Sequence, residues 1–348
     1  MTSTLFLSGY MTAFVEEGEE PRRTAGLFTR KGKLRADASE ILERLEAHGE
    51  AVASLPFDAV TTQVFRVSAP IGRQVSHTDI ADALEAASAR AGGDDLALIA
   101  AEPTRVLLDG QEQQGTAVGE AAQTLDVDVT TFVSSLAFLA KLEKVCADGG
   151  ITLSGVMAPE EAFTASLSDH ASPRSVIVCD RWHTKVMRLV GEHVHISASV
   201  PFGPGHLADD LAVTFSLDPK RAEETARRLV LGHGQGDEAA MAPVVMARLE
   251  EWAGAIAEAA KAASVPLEDA CLIGMAATPL VSGALANHAI GAQNADGFLR
   301  RADPAIGAMV DGACKRSSGA LSRSAATALQ LEAPHKIKGP IDWLRRNF

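Results

Sequence analysis

Apolar residues recur along the chain in two periods, and the way these alternate predicts a mixed α/β protein. Leu5, Leu7, Phe14, Val15, Leu27 and Phe28 lie in short runs around the acidic, turn-forming stretch Glu16 to Pro21, which predicts an opening hairpin. From Ser39, the positions Ile41, Leu42, Leu45 and His48 follow helical spacing, and Gly49 is placed to stop that helix in a left-handed conformation. A second helix is predicted from a Thr78 cap through Ile80, Ala83, Leu84 and Ala87 to Gly92-Gly93. Two strands are expected at Leu96 to Ala101 and Arg105 to Leu108, and a third through Leu125, Val127, Val129 and Thr131, where alternation puts one face on a core. A helix from Ser134 to Asp148 carries Phe138, Leu139, Leu142, Val145 and Cys146 on one stripe. Residues from about 66 to 147 thus form a small α+β unit inserted in a larger chain.

Beyond the insert, Ile151 to Ser154 and Val176 to Cys179 are apolar enough for strands covered on both faces, with a helix opened by Pro159 between them. Val186 to Val190, the turn Gly191-Glu192 and His193 to Val200 read as a hairpin running into Gly203-Pro204-Gly205. Helices follow at about 219 to 231, capped by Asp218, and at 240 to 263. A strand at Ala270 to Gly274 and helices opening at Pro279 and Pro304 complete the globular part, and the Ser- and Ala-rich stretch Lys315 to Pro334 reads as a linker.

Composition narrows the function classes. Of 348 residues, 47% are hydrophobic and 22% charged, enough for a sizeable core and too apolar for a disordered chain. The balance of 32 Lys plus Arg against 45 Asp plus Glu, a net charge of -13, excludes a general nucleic-acid binder. Cys146, Cys179, Cys271 and Cys314 lie far apart without metal-ligand spacing and read as buried thiols in a reducing compartment. Residues Met1 to Gly9 lack the features of a secretory signal, and no stretch offers 18 uninterrupted apolar residues, so a cytoplasmic body is expected.

Several segments carry a resemblance. Val106-Leu107-Leu108-Asp109-Gly110-Gln111-Glu112, with the alternating strand to Thr131, a helix and Gly149-Gly150 after it, resembles the inserted subdomain of the bacterial cell-division family FtsA, the part that other actins lack. Ser199-Val200-Pro201-Phe202-Gly203 followed by Asp210-Leu211-Ala212 is similar to that family's V-P-x-G-G and D-I-A run. The matches are collinear from about residue 60 to 348. The resemblance implies a two-lobed actin-like α/β fold. Residues 1–65 and 148–190 would form the first lobe, 66–147 the insert, 191–217 and 264–315 the second lobe, 218–263 a shortened subdomain, 316–334 a linker and 335–348 an amphipathic helix.

Actin-like ATPases clasp the nucleotide phosphates between two strand-turn hairpins, where glycines allow close approach and carboxylates organise magnesium. The resemblance aligns the first hairpin's pattern of an acid, any residue, Gly-Thr and a basic residue with Leu7-Ser8-Gly9-Tyr10-Met11-Thr12, which keeps Gly9 alone. The second hairpin, D-x-G-G-G-T-T in the family, becomes Val178-Cys179-Asp180-Arg181-Trp182-His183-Thr184, which keeps Asp180 and Thr184 without a glycine. Gly203 and Gly274 are the remaining nucleotide-side candidates, Gly274 in a loop that reads Gly274-Met275-Ala276-Ala277. Loss of ATP hydrolysis is therefore expected, with no cofactor and with Trp182 filling the cleft. The alternative is an ATP-binding actin-like filament protein, using magnesium, whose phosphate loops have drifted.

The last residues form an independent feature. Ile337, Ile341, Leu344 and Phe348 fall four, three and four apart, on one side of a helix flanked by Trp343, while Lys336, Lys338, Arg345 and Arg346 can meet anionic headgroups. At roughly 1 kcal/mol per basic residue near such a surface, the four amount to about 4 kcal/mol before any apolar insertion. The competing reading is a tail packed against its own core. FtsA receives the tail of the tubulin-like FtsZ on its small subdomain. The resemblance assigns Arg248 and Glu251 in Ala247-Arg248-Leu249-Glu250-Glu251 to that contact, with Arg300 and Arg301 nearby. Arg248 as a solvent-facing partner of Glu251 at i,i+3 is an equal alternative. His193 and His195, two apart on a strand, lack a third metal ligand and read as structural.

The expected function is that of an FtsA-like, self-associating adaptor. It would tether a filament, FtsZ or a similar one, to the cytoplasmic face of the membrane, and would not be an enzyme. A pilus-type assembly protein shares the fold and an insert and is the third possibility.

Overall fold

The computed structural model describes residues 3–9, 11–16, 22–29, 33–113, 117–164, 175–191, 193–273 and 278–294. Its first sheet has the order β3-β2-β1-β4-β9, formed by β1 (Ser3–Leu7), β2 (Met11–Val15), β3 (Arg22–Ala25), β4 (Gly49–Ser54) and β9 (Ile151–Met157). The second, β12-β11-β10-β13-β14, uses β10 (Ser175–Cys179), β11 (Thr184–Val190), β12 (His193–Val200), β13 (Ala270–Ile273) and β14 (Ala292–Asn294). A third sheet, β5-β8-β6-β7, is made by β5 (Thr61–Gln74), β6 (Leu96–Leu108), β7 (Gln111–Glu112) and β8 (Ala121–Ser135). The helices are α1 (Ala38–Glu43), α2 (His77–Ala91), α3 (Leu136–Asp148), α4 (Pro159–Thr164), α5 (Pro204–Phe215), α6 (Pro219–Val230), α7 (Ala242–Ala263) and α8 (Pro279–Asn287).

The first two sheets share a plan. Each begins with antiparallel strands and then adds parallel ones, β1 on β4 on β9 in one, β10 on β13 on β14 in the other. One buried cluster runs through both: Leu5, Phe14, Ile41 and Phe163 of the first lobe join Val176, Val178, Met187 and Ile273 of the second. A second cluster lies under α5, α6 and α7 and contains Leu211, Ala226, Leu249, Trp252 and Ile256 together with Ile177 and Val186. The insert has its own small core of Leu84, Ala87, Leu125, Val127 and Val129 between α2 and the third sheet.

Several boundaries differ from expectation. The second lobe begins at Ser175, not after 190, because β10 pairs with β11 and β13 and so belongs with β12. The third sheet starts at Thr61, and α3, expected inside the insert, buries Leu139, Leu142 and Cys146 in the first lobe's core. Its apolar stripe finds α1 there: a Cβ on Gly149, at the end of α3, would lie 2.7 Å from Leu42 Cβ. The shortened subdomain has no core of its own, since the buried face of α7 is continuous with the second lobe's.

Helix α2 is capped by Ser76 rather than Thr78, in a reciprocal box where Ser76 N–H donates to Asp79 Oδ2 at 2.8 Å. The two strands expected on either side of Pro103 are one, β6, whose register slips between Pro103 and Arg105 and so absorbs the missing N–H. The helix expected at Pro304, the linker and the amphipathic tail lie outside the described residues.

The second lobe meets the insert along β12. His195 is buried, with Nδ1 2.9 Å from Thr104 Oγ1, while Thr130 Oγ1 donates to the His195 carbonyl at 2.8 Å and His193 Nδ1 lies 3.0 Å from Glu102 Oε2. The two histidines therefore fasten β12 to β6 and β8. All three sheets converge on one ion pair. Lys185 Nζ of β11 lies 3.3 Å from Glu160 Oε1 of α4, with the side chains 3% and 0% exposed, and donates to the Val60 carbonyl at 3.0 Å. Thr62 Oγ1 of β5 and Ser197 Oγ of β12 donate to the same carboxylate oxygen at 3.3 and 3.4 Å.

Removing one partner leaves a buried charge alone. Lys185→Met is expected to cost about 3–5 kcal/mol, and Lys185→Met combined with Glu160→Leu substantially less than the single change. Urea unfolding of the two variants measures the difference.

Candidate functional site

The two turns that face each other across the lobes carry the expected site. Ser8 and Gly9 turn the chain from β1 to β2, and Ser8 fixes this turn by donating its hydroxyl to the Met11 carbonyl at 3.1 Å. Residues 180–183 turn from β10 to β11, closed by the Asp180 N–H donating to the His183 carbonyl at 2.8 Å. The start of α5 packs on this second turn. Gly205 N–H donates to the Arg181 carbonyl at 2.8 Å, and a Cβ on Gly203 would lie 2.3 Å from the Asp180 carbonyl oxygen. Glycine at 203 is thus required by backbone approaching backbone.

Asp180 joins the lobes. Its Oδ2 accepts the N–H of Gly9, 171 residues away in sequence, at 2.8 Å, and its Oδ1 accepts the N–H of Arg181 at 2.8 Å. Burial pushes this carboxyl from its ordinary 3.8 up to about 6, the two N–H bonds oppose the shift, and the Asp58 charge adds to it. Asp58 Oδ2 lies 3.8 Å from His183 Nδ1, a second contact between the lobes, and burial holds the His183 pKa below its usual value.

Trp182 fills the space beside this contact. Its indole meets the faces of two glycines: a Cβ on Gly9 would lie 3.2 Å from Trp182 Cδ1, and one on Gly205 2.6 Å from Cζ3. His206 packs edge-on against it with centroids 5.4 Å apart and stacks on Phe202 at 5.0 Å. The Arg181 guanidinium lies 5.2 Å from the indole centroid and pairs with Glu223 of α6 at 3.0 Å. Trp182 Nε1 is buried and has no hydrogen-bond partner among the described residues.

Among the residues expected at this site, Gly9, Asp180 and Gly203 are brought together. Thr184 is adjacent in sequence but used in the core, donating to the Phe202 carbonyl at 2.8 Å and accepting from Trp252 Nε1 at 3.0 Å. Thr12, where the family has a lysine, is buried. Gly274 lies outside the described residues. The N–H of Gly9, the group free to meet a phosphate oxygen in an open hairpin, is given to the chain's own carboxylate. Sequence reasoning reached Trp182 through the missing glycines, whereas the Asp180 to Gly9 contact left no sequence signal because it joins distant segments.

The partner-side candidates are spread. Arg248 of α7 forks onto Asp210 of α5, with Nε to Oδ2 at 2.5 Å and Nη2 to Oδ1 at 3.3 Å, and also pairs with Glu251. A carboxylate from another protein would have to displace Asp210. Arg300, Arg301 and all of the membrane-binding candidates, Lys336, Ile337, Lys338, Ile341, Trp343, Leu344, Arg345, Arg346 and Phe348, lie outside the described residues. Cys146 and Cys179 are buried with thiols pushed up to about 12, which makes them unreactive.

No family model and no curated protein matches the chain. Among solved structures it is similar to the PilM–PilN type IV pilus biogenesis complex, with a TM-score of 0.60 and 15% identity over 91% of this chain and 98% of that one. It is also similar to MreB 5 of Spiroplasma citri bound to AMPPNP, with a TM-score of 0.46 and 10% identity over 92% and 96% of the two chains. At such identities the likeness establishes the fold alone, and the chain has the two-lobed actin-like fold. The likeness does not single out FtsA within it.

Two outcomes follow from this geometry. Gly203→Ala is expected to destabilise by about 3 kcal/mol, through overpacking against backbone that cannot move aside, as read by thermal or urea unfolding. Asp180 binds its proton more tightly folded than unfolded, so its contribution to stability is largest below its unfolded pKa and is lost as pH rises through about 6. Relative to Asp180→Asn, the wild type is expected to gain about 3 kcal/mol between pH 7.5 and pH 3.5.

Proposed function

We propose that this protein is an actin-fold adaptor that works by binding and not by turning over ATP. One observation carries the reading: the turn that would receive phosphate donates its N–H to Asp180 at 2.8 Å, and Trp182 occupies the adjoining space. Glycine-poor turns with bulky side chains deny a polyphosphate the close backbone approach that an actin-like site requires. The shared core beneath both lobes also opposes opening, since separating the lobes would expose Val176, Val178 and Met187.

In this reading the C-terminal segment from Lys336 to Phe348 is a reversible amphipathic anchor on the inner face of the cytoplasmic membrane. The body meets a protein partner and further copies of itself. The partner suggested by the FtsA resemblance is the tail of an FtsZ-like filament. Supporting the general form of the reading, one of the solved structures that the chain resembles is that of a complex, PilM with PilN. That likeness favours a second reading of the partner alone, in which the body holds a component of a pilus-type assembly instead of a filament. No helix among the described residues is long and apolar enough to cross a membrane.

Nucleotide released on denaturing the purified protein is expected to be far below one equivalent, with no binding of magnesium-ATP by calorimetry. Stoichiometric ATP would overturn the reading. In flotation with anionic liposomes, the full chain is expected to float in a salt-sensitive manner, while a chain ending at Ala333 and the variant Trp343→Glu stay behind. Equal behaviour of all three would remove the membrane anchor from the proposal.

A further inference from the structure

The insert's sheet ends on an open edge. In the order β5-β8-β6-β7, β5 pairs with β8 alone. Pro70 fixes which of its backbone groups face outward. Proline has no N–H, so its pairing with Thr124 is a non-hydrogen-bonded one, and the ladder to β8 runs through Phe65, Val67 and Ala69. The N–H and C=O groups of Val64, Arg66 and Ser68 therefore point away from the sheet, and they have no partner among the described residues. Beyond Ser68 the edge is blunted by Pro70 and by the register slip between Pro70 and Arg73, which leaves residues 64–68 as a template for one more strand.

Beside this edge, between β5 and α2, lies an apolar groove of about 250 Å³. Val67, Ala69, Ala83 and Ala86 line it, together with Asp79 and Asp82. Asp79 is held by Arg73 at 2.7 Å, whereas Asp82 is exposed and makes no ion pair among the described residues. The surface thus fits an extended segment whose groove-side residues have apolar stems and positive tips. The chain carries such a segment outside the described residues, in Lys336-Ile337-Lys338-Gly339-Pro340. Laid antiparallel with Ile337 opposite Ser68, it sets Gly339 opposite Arg66, Lys338 opposite Val67 and Lys336 opposite Ala69. Both lysines then fall on the groove side, where Asp82 lies. Pro340 takes a position whose N–H would point to solvent, so its missing donor costs nothing.

We propose that residues 336–339 add to the free edge of β5 in the same chain, as a fifth strand of the insert's sheet, and that an anionic membrane competes for them. The chain between Asn294 and Lys336, about 40 residues, is long enough to reach the edge. The attachment raises the effective concentration into the millimolar range, so a weak pairing suffices. Docking withdraws Lys336, Ile337 and Lys338 from the anchor and leaves it Arg345 and Arg346. The competition rests on the anchor reading above; the docking itself does not.

The test is disulfide cross-linking in the full chain carrying Cys314→Ser, in which Cys146, Cys179 and Cys271 are buried. Ser68→Cys with Ile337→Cys places two thiols directly opposite, with Cα atoms about 5.5 Å apart and within disulfide reach. Ser68→Cys with Lys338→Cys places them on opposite faces. Under mild oxidation the first pair is expected to close about tenfold faster than the second, within the monomer. Equal rates, as for a tail that collides at random, or a product that is dimeric only, overturn the proposal. Val64→Cys with Ile341→Cys, in the same register, answers the question if position 68 does not tolerate change. Asp82→Lys is expected to slow the first pair several-fold and Lys338→Glu to restore it; no effect of either would refute the placement of the lysines in the groove. Ser68→Pro removes an outward N–H and no ladder bond, so this variant is expected to float with anionic liposomes at higher salt than wild type. Equal flotation refutes the competition. If neither floats, the anchor reading fails, while the cross-link still decides the docking.

Discussion

The Lys185–Glu160 pair is the contact on which the arrangement of the three sheets depends. Each charge is almost wholly removed from water, and neither would be tolerated alone. Glu160 belongs to the helix that follows the first sheet, Lys185 to the second sheet, and the groups that complete the pair, Val60 and Thr62, lie at the root of the insert. Hydrophobic burial drives these units together without specifying their mutual orientation. The ion pair supplies the orientation, because its hydrogen bonds close in one relative placement only.

That placement determines the cleft. With Lys185 fixed, the turn just before it carries Asp180 against Gly9 and lays Trp182 between Gly9 and Gly205. An actin-like fold ordinarily keeps glycine in such turns so that an external ligand can approach. Here glycine stands on the facing surfaces, at 9, 203 and 205, and the opposite turn carries Arg181 and Trp182, so protein fills the space that glycine leaves. The raised pKa of Asp180 fits this account: a carboxylate held for its hydrogen bonds is kept where burial disfavours its charge.

The adaptor role proposed above would gain from such a cleft. A nucleotide-gated protein couples its partners to ATP level, whereas one whose lobes share a core and a polar tie presents constant surfaces. Arg248 and Asp210 join α7 to α5, and β12 is fastened to the insert through His193 and His195.

Local and periodic features were determined by the sequence itself. The hairpin at 184–200, the helix capped by Asp218 and the long α7 follow from alternation, a cap and an apolar stripe, each of which acts over a few residues. The scarcity of glycine at residues 180–183 was legible for the same reason, since a missing glycine is a local fact. Tertiary structure decided what depends on contact between distant segments. It assigned α3 to the first lobe and β10 to the second, because a stripe or a strand can pack on any surface that matches it, and the sequence does not say which. It gave Arg248 Asp210 as a partner beside the expected Glu251, and it joined Gly9 to Asp180 and Lys185 to Glu160. Charge, spacing and periodicity are carried by the chain, but the partner of a buried polar group is chosen only when folding removes water from both.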